Sequence, residues 1–557
     1  MNHLIAPHKK NYMKKKLVPQ EGIQGLIQNW KADMLSGFMV FLLALPLSLG
    51  IAGASDFPPI YGLITAMVGG LVVSFFAGSA LTIKGPAAGL IVIVAGSVAE
   101  LGGGDNVLGW KLALGAIVIA GVFQILFGIL KFGSFSDFFP VAAVHGMLAA
   151  IGIIIISKQT HVLLGMNPLN DEGKPMVEPI ELLCELRHTI PHFLDHSLVF
   201  VIGVISLFIV FAWPKISGRR MRKIPAALVV LIISIPLAKF LDLHNTNDIK
   251  DAAGAIIQKG YAPMLTFDQN LSDILGVKVD FSGLKFPGIF WKYVLMFALV
   301  GSLEALLTVK AIDMQDPFKR RSNPDKDLIS VGIGNMVAGI MGGLPMISEV
   351  ARSSANVTNG AKTGWSNFFH GLFILLFLIV EVSFNDLIPR AALAALLIGV
   401  GWKLAHPREF GLMIRTGKDQ AFIFIVTIIA TLLTDLLVGI SLGILTKFIL
   451  HFFRGVPLRI MFKPKMTIQN NVIIVEEAAV FSNFIPVKKK LLAFKQSDEV
   501  MIDFSKCFFI DHSVVETLYH IKDDFMEEGG ELIVLGIEEL KPVGNSKHHL
   551  SALRKRK

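Results

Sequence analysis

Gly342-Gly-Leu-Pro-Met-Ile-Ser-Glu-Val-Ala-Arg-Ser-Ser-Ala-Asn356 puts a helix breaker, a carboxylate and a guanidinium inside an otherwise apolar run. Ionisable groups at membrane depth cost roughly 2.5 to 3.5 kcal/mol each even on insertion scales, so they are retained mainly for a pathway or a binding site. A second break, Lys84-Gly-Pro-Ala-Ala-Gly89, lies in another apolar run. Pro86 suits a first helical turn, where its missing N–H costs nothing. In the 342–356 segment Pro345 precedes Ser348, the expected N-cap. Two helix starts aimed at each other offer unpaired N–H groups and about half a positive charge apiece, which suits an anion. Backbone groups around Ala87, Ala88, Ser348 and Val350 are the expected direct contacts, because amides bind an anion without a full countercharge that slows release.

A further pair, Glu304 and Thr308, is spaced to share one helix face and offers oxygen ligands to a small cation such as sodium. The Glu can instead carry a coupling proton, and the residue types leave both open. Glu349 has three outcomes: pairing with Arg352 at i,i+3, pairing with Lys84 across the site, or protonation. Arg352 either supplies field to the substrate or clamps Glu349 or snorkels to the inner surface. Lys84 either faces the site or reaches inner water. If Lys84, Arg352, Glu304 and Glu349 share one cavity, their charges cancel, and a cation carried with the anion would help. Pro46 is expected to kink the first span beside that cavity. His145 and His370 read as packed or interfacial histidines.

The elements that must hold these groups are apolar runs near 34–54, 59–78, 86–100, 112–132, 137–157, 197–213 and 224–241, and again near 291–308, 327–341, 347–357, 365–382, 388–404, 419–433 and 434–452. The third and tenth are too short to cross about 30 Å of hydrocarbon at about 1.5 Å per residue. Both begin at a Gly/Pro break, and short interrupted segments at matching places in two halves point to an inverted-repeat transporter with a midplane site. Lys and Arg collect at Lys9 to Lys16, Lys131, Lys215 to Lys223, Lys319 to Lys326, Lys362 and Lys403 to Lys418, which fits fourteen crossings with both termini inside. The expected division is a basic N-terminal tail (1–30), a membrane domain (31–455), a cytoplasmic α/β domain (456–545) and a basic, disordered tail (546–557). Strands are expected at 471–476, 500–504 and 531–536, with a helix at 513–527.

Of the 557 residues, 53% are hydrophobic and 17% charged, a balance that no water-soluble chain of this size would cover with polar surface. Mean hydropathy is +0.62. The net charge of +9 sits in short tracts between apolar runs, so nucleic-acid binding is not expected. Cys184 and Cys507 form neither a disulfide framework nor a metal site. The lysine-rich start followed by a long apolar run reads as a start-transfer helix without a cleavable signal. No nucleophile–base pair or metal-ligand spacing suggests an enzyme, and no resident cofactor is implied.

Ala44-Leu-Pro-Leu47, Gly85-Pro-Ala-Ala88, Ser302-Leu-Glu-Ala-Leu306, Gly343-Leu-Pro345 and Arg352-Ser-Ser-Ala-Asn356 together resemble the sulfate permease family of anion transporters with a C-terminal STAS domain. The resemblance runs from about residue 31 to 540. It implies a seven-plus-seven inverted repeat with core and gate domains, a homodimer, and substrates such as sulfate, bicarbonate and chloride. Leu303-Glu304-Ala-Leu-Leu-Thr308 is most similar to the eighth span of sodium-dependent bicarbonate transporters, with Glu in place of Asp. Glu349 and Ala351 replace small or hydroxylated residues usual in the family, so direct ligation at those positions departs from its pattern. The expected substrate set is thus Pro46, the Gly85–Ala88 break, and Ser348, Glu349, Val350, Ala351 and Arg352.

Asp511-His-Ser513 is similar to the STAS loop that carries a phosphorylatable hydroxyl in signalling relatives. Ser513 also suits a helix N-cap with Glu516 completing a capping box. The function expected is alternating-access transport of a small inorganic anion, bicarbonate first and sulfate second, coupled to sodium or protons. The plasma membrane, its lipid and a cytoplasmic regulator at the STAS-like domain complete the expected setting. The alternatives are an exchanger or uniporter for chloride or dicarboxylate, a carrier of nucleobases or other uncharged solutes, and a membrane anion sensor.

Overall fold

The computed structural model describes residues 18–166, 176, 179–189, 197–216, 224–243, 247–250, 256–261, 263–265, 274, 276–285, 287–380, 388–494, 499–543 and 551–555. Lys9 to Lys16, residues 217–223, 381–382 and 546–550 and the last two residues, to which several sequence expectations refer, lie outside the described residues.

Each apolar run becomes a helix. The first set is α1 (Gly22–Ala54), α2 (Ile60–Leu71), a strand β1 (Ile83–Pro86) leading to α3 (Ile91–Gly102), α4 (Asn106–Ile129), α5 (Val141–Leu163), α7 (Ser197–Ile216) and α8 (Ala226–Phe240), with α6 (Pro179–Thr189) between α5 and α7. A hairpin of β2 (Asn247–Lys250) and β3 (Ile256–Tyr261) follows. The second set is α9 (Pro287–Gln315), α10 (Pro324–Ile340), a strand β4 (Met346–Glu349) leading to α11 (Val350–Thr358), α12 (Trp365–Val380), α13 (Arg390–Leu404), α15 (Lys418–Leu433) and α16 (Leu436–Phe453), with α14 (Pro407–Thr416) before the last two. Among the described residues, six helices are long and apolar enough to cross a membrane unaided. The first helix begins at Gly22 rather than near 34, because the polar turns ahead of the apolar run continue its backbone bonding.

The two breaks meet. β1 and β4 pair antiparallel, Ile83 opposite Glu349, Lys84 opposite Ser348, Gly85 opposite Ile347 and Pro86 opposite Met346. Irregular backbone survives at membrane depth only when its polar groups are satisfied by protein or water. Side chains do this here: Ser353 Oγ accepts from the Ile83 amide at 2.8 Å, Asn367 Oδ1 from Lys84 at 3.3 Å, and Asn335 Oδ1 from Met346 at 2.6 Å. Asn356 Nδ2 donates to the Leu81 carbonyl at 2.9 Å.

Contacts divide the chain into two compact units, one covering Lys15–Gly133 and Ile151–Leu404, the other including Ser134–Ala150 and Ala405–Lys557. The second unit contains a six-stranded sheet. Its elements are α17 (Leu458–Phe462), β5 (Lys465–Gln469), β6 (Val472–Ala479), α18 (Phe484–Leu491), β7 (Glu499–Ile510), α19 (His512–Glu528), β8 (Glu531–Leu535), β9 (Leu540–Pro542) and β10 (Leu553–Lys555). The order is β5-β6-β7-β10-β9, with β8 parallel to the first half of β7. Ile473, Val500, Ile502, Leu518, Phe525 and Leu532 lie in one core, the alternation of β6, β7 and β8 meeting the apolar stripe of α19.

Within the basic C-terminal end, Leu553–Lys555 form a strand of the sheet. Leu553 and Arg554 pair with Ile510 and Phe509, and Leu553 is 3% exposed. A Leu553→Asp change is therefore expected to destabilise this unit by about 3 kcal/mol, since it buries an unpaired charge and empties an apolar site. Lys555→Asp, at an exposed position, should stay within about 0.5 kcal/mol. Urea unfolding followed by hydrogen exchange of β7 checks both.

Candidate functional site

Glu304 and Thr308 stand one turn apart on α9, 5% and 2% exposed. Among the described residues, Glu304 Oε1 has no hydrogen-bond partner. Its carboxylate lies against the first turn leading into α3: a methyl added to Gly89 would collide with both carboxylate oxygens. Gly85 has the same relation to Arg352, whose guanidinium would be struck by a Cβ there. Glycine at these two places lets a buried acid and a buried base approach the β1–α3 break.

Arg352 is fully buried, and among the described residues none of its three guanidinium nitrogens has a hydrogen-bond partner. Snorkelling to the inner surface is thereby overturned. So is the clamp on Glu349: Glu349 Oε2 accepts from the Arg352 backbone amide at 2.7 Å, making Glu349 the N-cap of α11. Ser348, expected to be that cap, is instead the third residue of β4. The cap shifts by one because β4 keeps Ser348 extended opposite Lys84, while Glu349 is long enough to reach back to N3. Val350 is 48% exposed in this first turn between half-buried Glu349 and Ala351, so the start of α11 borders open space.

Lys84 reaches neither Glu349 nor inner water. It is 0% exposed, and its ammonium binds Asp327 Oδ1 at 2.7 Å and Oδ2 at 2.8 Å, Ser348 Oγ at 2.5 Å and Thr82 Oγ1 at 2.9 Å. Asp327 is the residue that sequence reasoning missed. In Asn323-Pro-Asp-Lys-Asp327 it reads as first-turn acid behind an Asn cap and a Pro, and Asn323 Oδ1 does cap α10 by accepting from Lys326 at 3.0 Å. Only the fold carries its carboxylate to Lys84.

Around the break, Ala87 donates its amide to the Pro345 carbonyl at 3.3 Å, so this expected anion donor is already engaged. Ala88 opens a short 3-10 turn, Ala88–Leu90, ahead of α3. Pro86 ends β1, and Pro46 is buried within α1. His370 is fully buried on α12, and among the described residues neither ring nitrogen has a hydrogen-bond partner. His145 Nδ1 lies 2.9 Å from Glu409 Oε2.

In the sheet-containing unit, Asp511 rather than Ser513 caps α19, accepting from Val514 at 2.8 Å. Ser513 is 8% exposed, and its Oγ accepts from Lys447 of α16 at 2.9 Å, while Lys447 pairs with Asp511 at 3.1 Å. The hydroxyl is thus held against the last span rather than presented at a surface. Burial pushes the Cys507 thiol up to about 12, and its Sγ donates to the Val475 carbonyl at 3.2 Å, so it stays a protonated core side chain.

Residues 30–427 match the sulfate permease family, and the chain belongs to it. It is 27% identical over 525 residues to "Putative sulfate transporter YvdB" of Bacillus subtilis (strain 168), covering 92% of each chain. It is 24% identical over 435 residues to "Bicarbonate transporter BicA" of Picosynechococcus sp., covering 77% of this chain and 71% of the relative. The solved overall structure of SLC26A9 superposes with a TM-score of 0.65 at 12% identity, covering 94% of this chain and 86% of that one, which shows the fold alone. The chain is therefore a multi-pass membrane anion transporter with a STAS-like C-terminal sheet, in a family of transporters rather than enzymes.

Proposed function

We propose that the protein is a secondary active transporter of bicarbonate, with sulfate as second substrate, that carries one cation with the anion. The observation that carries this is the buried Glu304 carboxylate, one oxygen of which has no hydrogen-bond partner among the described residues, packed on Gly89 at the start of the third span whose Gly85 abuts Arg352. Because Asp327 neutralises Lys84, the remaining site charges are Arg352 against Glu304 and Glu349. One positive and two negative groups repel an anion until a cation balances the excess. Sodium bound by Glu304 and Thr308 or a proton on Glu304 meets that need, while the helix starts at Ala88 and Val350 supply amides for the anion.

Movement of the membrane domain exposes this site alternately to either side of the plasma membrane, in a homodimer with both termini in the cytoplasm. A cytoplasmic regulator would act through the STAS-like unit. Purified protein in liposomes is expected to accumulate bicarbonate, and more weakly sulfate, when an inward sodium or proton gradient is imposed. Uptake that ignores both gradients would instead establish exchange or uniport.

A further inference from the structure

We infer that Asp327 is a positioning residue for transport: it sequesters the Lys84 charge and, through Ser348, fastens the two broken spans to each other. The inference rests on the proposed transport reading. Three elements converge on this pair. Lys84 sits in β1, Ser348 opposite it in β4, and Asp327 in the first turn of α10. Ser348 Oγ both accepts from Lys84 at 2.5 Å and donates to Asp327 Oδ2 at 3.0 Å, and the Gly78 amide donates to Asp327 Oδ1 at 3.3 Å. The two charged side chains are 0% and 1% exposed.

An ammonium has three N–H donors. Those of Lys84 are taken by Asp327, Ser348 and Thr82, which leaves none for a substrate. Lys84 thus lies one residue from Gly85, which the Arg352 guanidinium abuts, without acting as a second cation for the anion. A buried pair of this kind is often replaceable by neutral groups together, whereas loss of one partner leaves an uncompensated charge. Asp327→Asn would release that charge beside the site. The anion would then be held too firmly, and the excess negative charge that calls for the coupling cation would vanish.

The test compares Asp327→Asn, Lys84→Met and the double variant, each checked for monodisperse elution, by radiolabelled bicarbonate uptake in liposomes and by amide exchange of residues 83–86 and 346–349. Asp327→Asn is expected to lower Vmax about tenfold or more, with KM unchanged or lower, and to lose most of its gradient dependence. Exchange at both strands should quicken. The double variant should return to within about threefold of the parent in Vmax, with parent-like exchange. Parent kinetics in Asp327→Asn, or a monodisperse double variant as impaired as the single one, would overturn the inference. Should the parent itself move neither bicarbonate nor sulfate, the proposed function fails alone, and the exchange of the two strands decides the role of Asp327.

Discussion

Glu304→Gln is expected to lower gradient-driven bicarbonate uptake by about 100-fold while leaving the protein folded and membrane-inserted. Gln has nearly the same volume and keeps a carbonyl oxygen over Gly89, so packing at the start of the third span survives. What is lost is the charge, and a charge-assisted contact is worth about 1.5–3 kcal/mol before the balance of the whole site is counted. Each 1.4 kcal/mol is about tenfold in binding. The variant also separates the two coupling ions. If Glu304 carries a proton, Gln mimics the loaded form, and bicarbonate–bicarbonate exchange persists while net uptake is lost. If Glu304 ligates sodium, exchange and net uptake fall together. Rates equal to the parent's in both assays would remove Glu304 from the mechanism.

The second large effect concerns Arg352. Arg352→Gln removes the buried positive group that abuts Gly85 at the same break, leaving the Glu304 and Glu349 charges of the proposed site uncompensated, and KM for bicarbonate should rise about tenfold or more. Glu349→Gln alone removes one negative charge and should lower KM. Combining the two restores the parent's formal charge, so KM should return to within about threefold of the parent's if field strength is what Arg352 contributes. Among the described residues the guanidinium nitrogens have no hydrogen-bond partners that such a change would strand, which makes the double variant a fair electrostatic test. Additive effects of the two changes, with no recovery, would mean that Arg352 acts through shape or a directed hydrogen bond.

Local signals carried a good deal of this site. Gly85-Pro86 and Gly343-Leu-Pro345 interrupt apolar runs, and such breakers act on their own backbone, so both discontinuities could be read from neighbouring residues. Glu304 was legible for a similar reason, since an acid within a span is costly wherever the span goes. The partner of Lys84 was not legible. It lies 243 residues away and carries the ordinary signature of a helix start. Pairing of β1 with β4 was also hidden, because four-residue strands have too little alternation to announce themselves.

The cap of α11 moved by one residue for want of that pairing. Ser513 read as a cap or a switch because Lys447, which holds it, comes from a separate helix. Arg554-Lys-Arg-Lys557 looked like a solvated tail because composition outweighs a three-residue strand, yet Leu553 anchors its start in the sheet.

Amide hydrogen exchange of the membrane-embedded protein, with and without whichever of bicarbonate or sulfate it transports, tests the central claim most directly. Saturating anion is predicted to slow exchange at residues 88–90 and 350–352 together, where the two interrupted spans begin. Protection confined to other helices, or none at either start, would contradict an anion held between them.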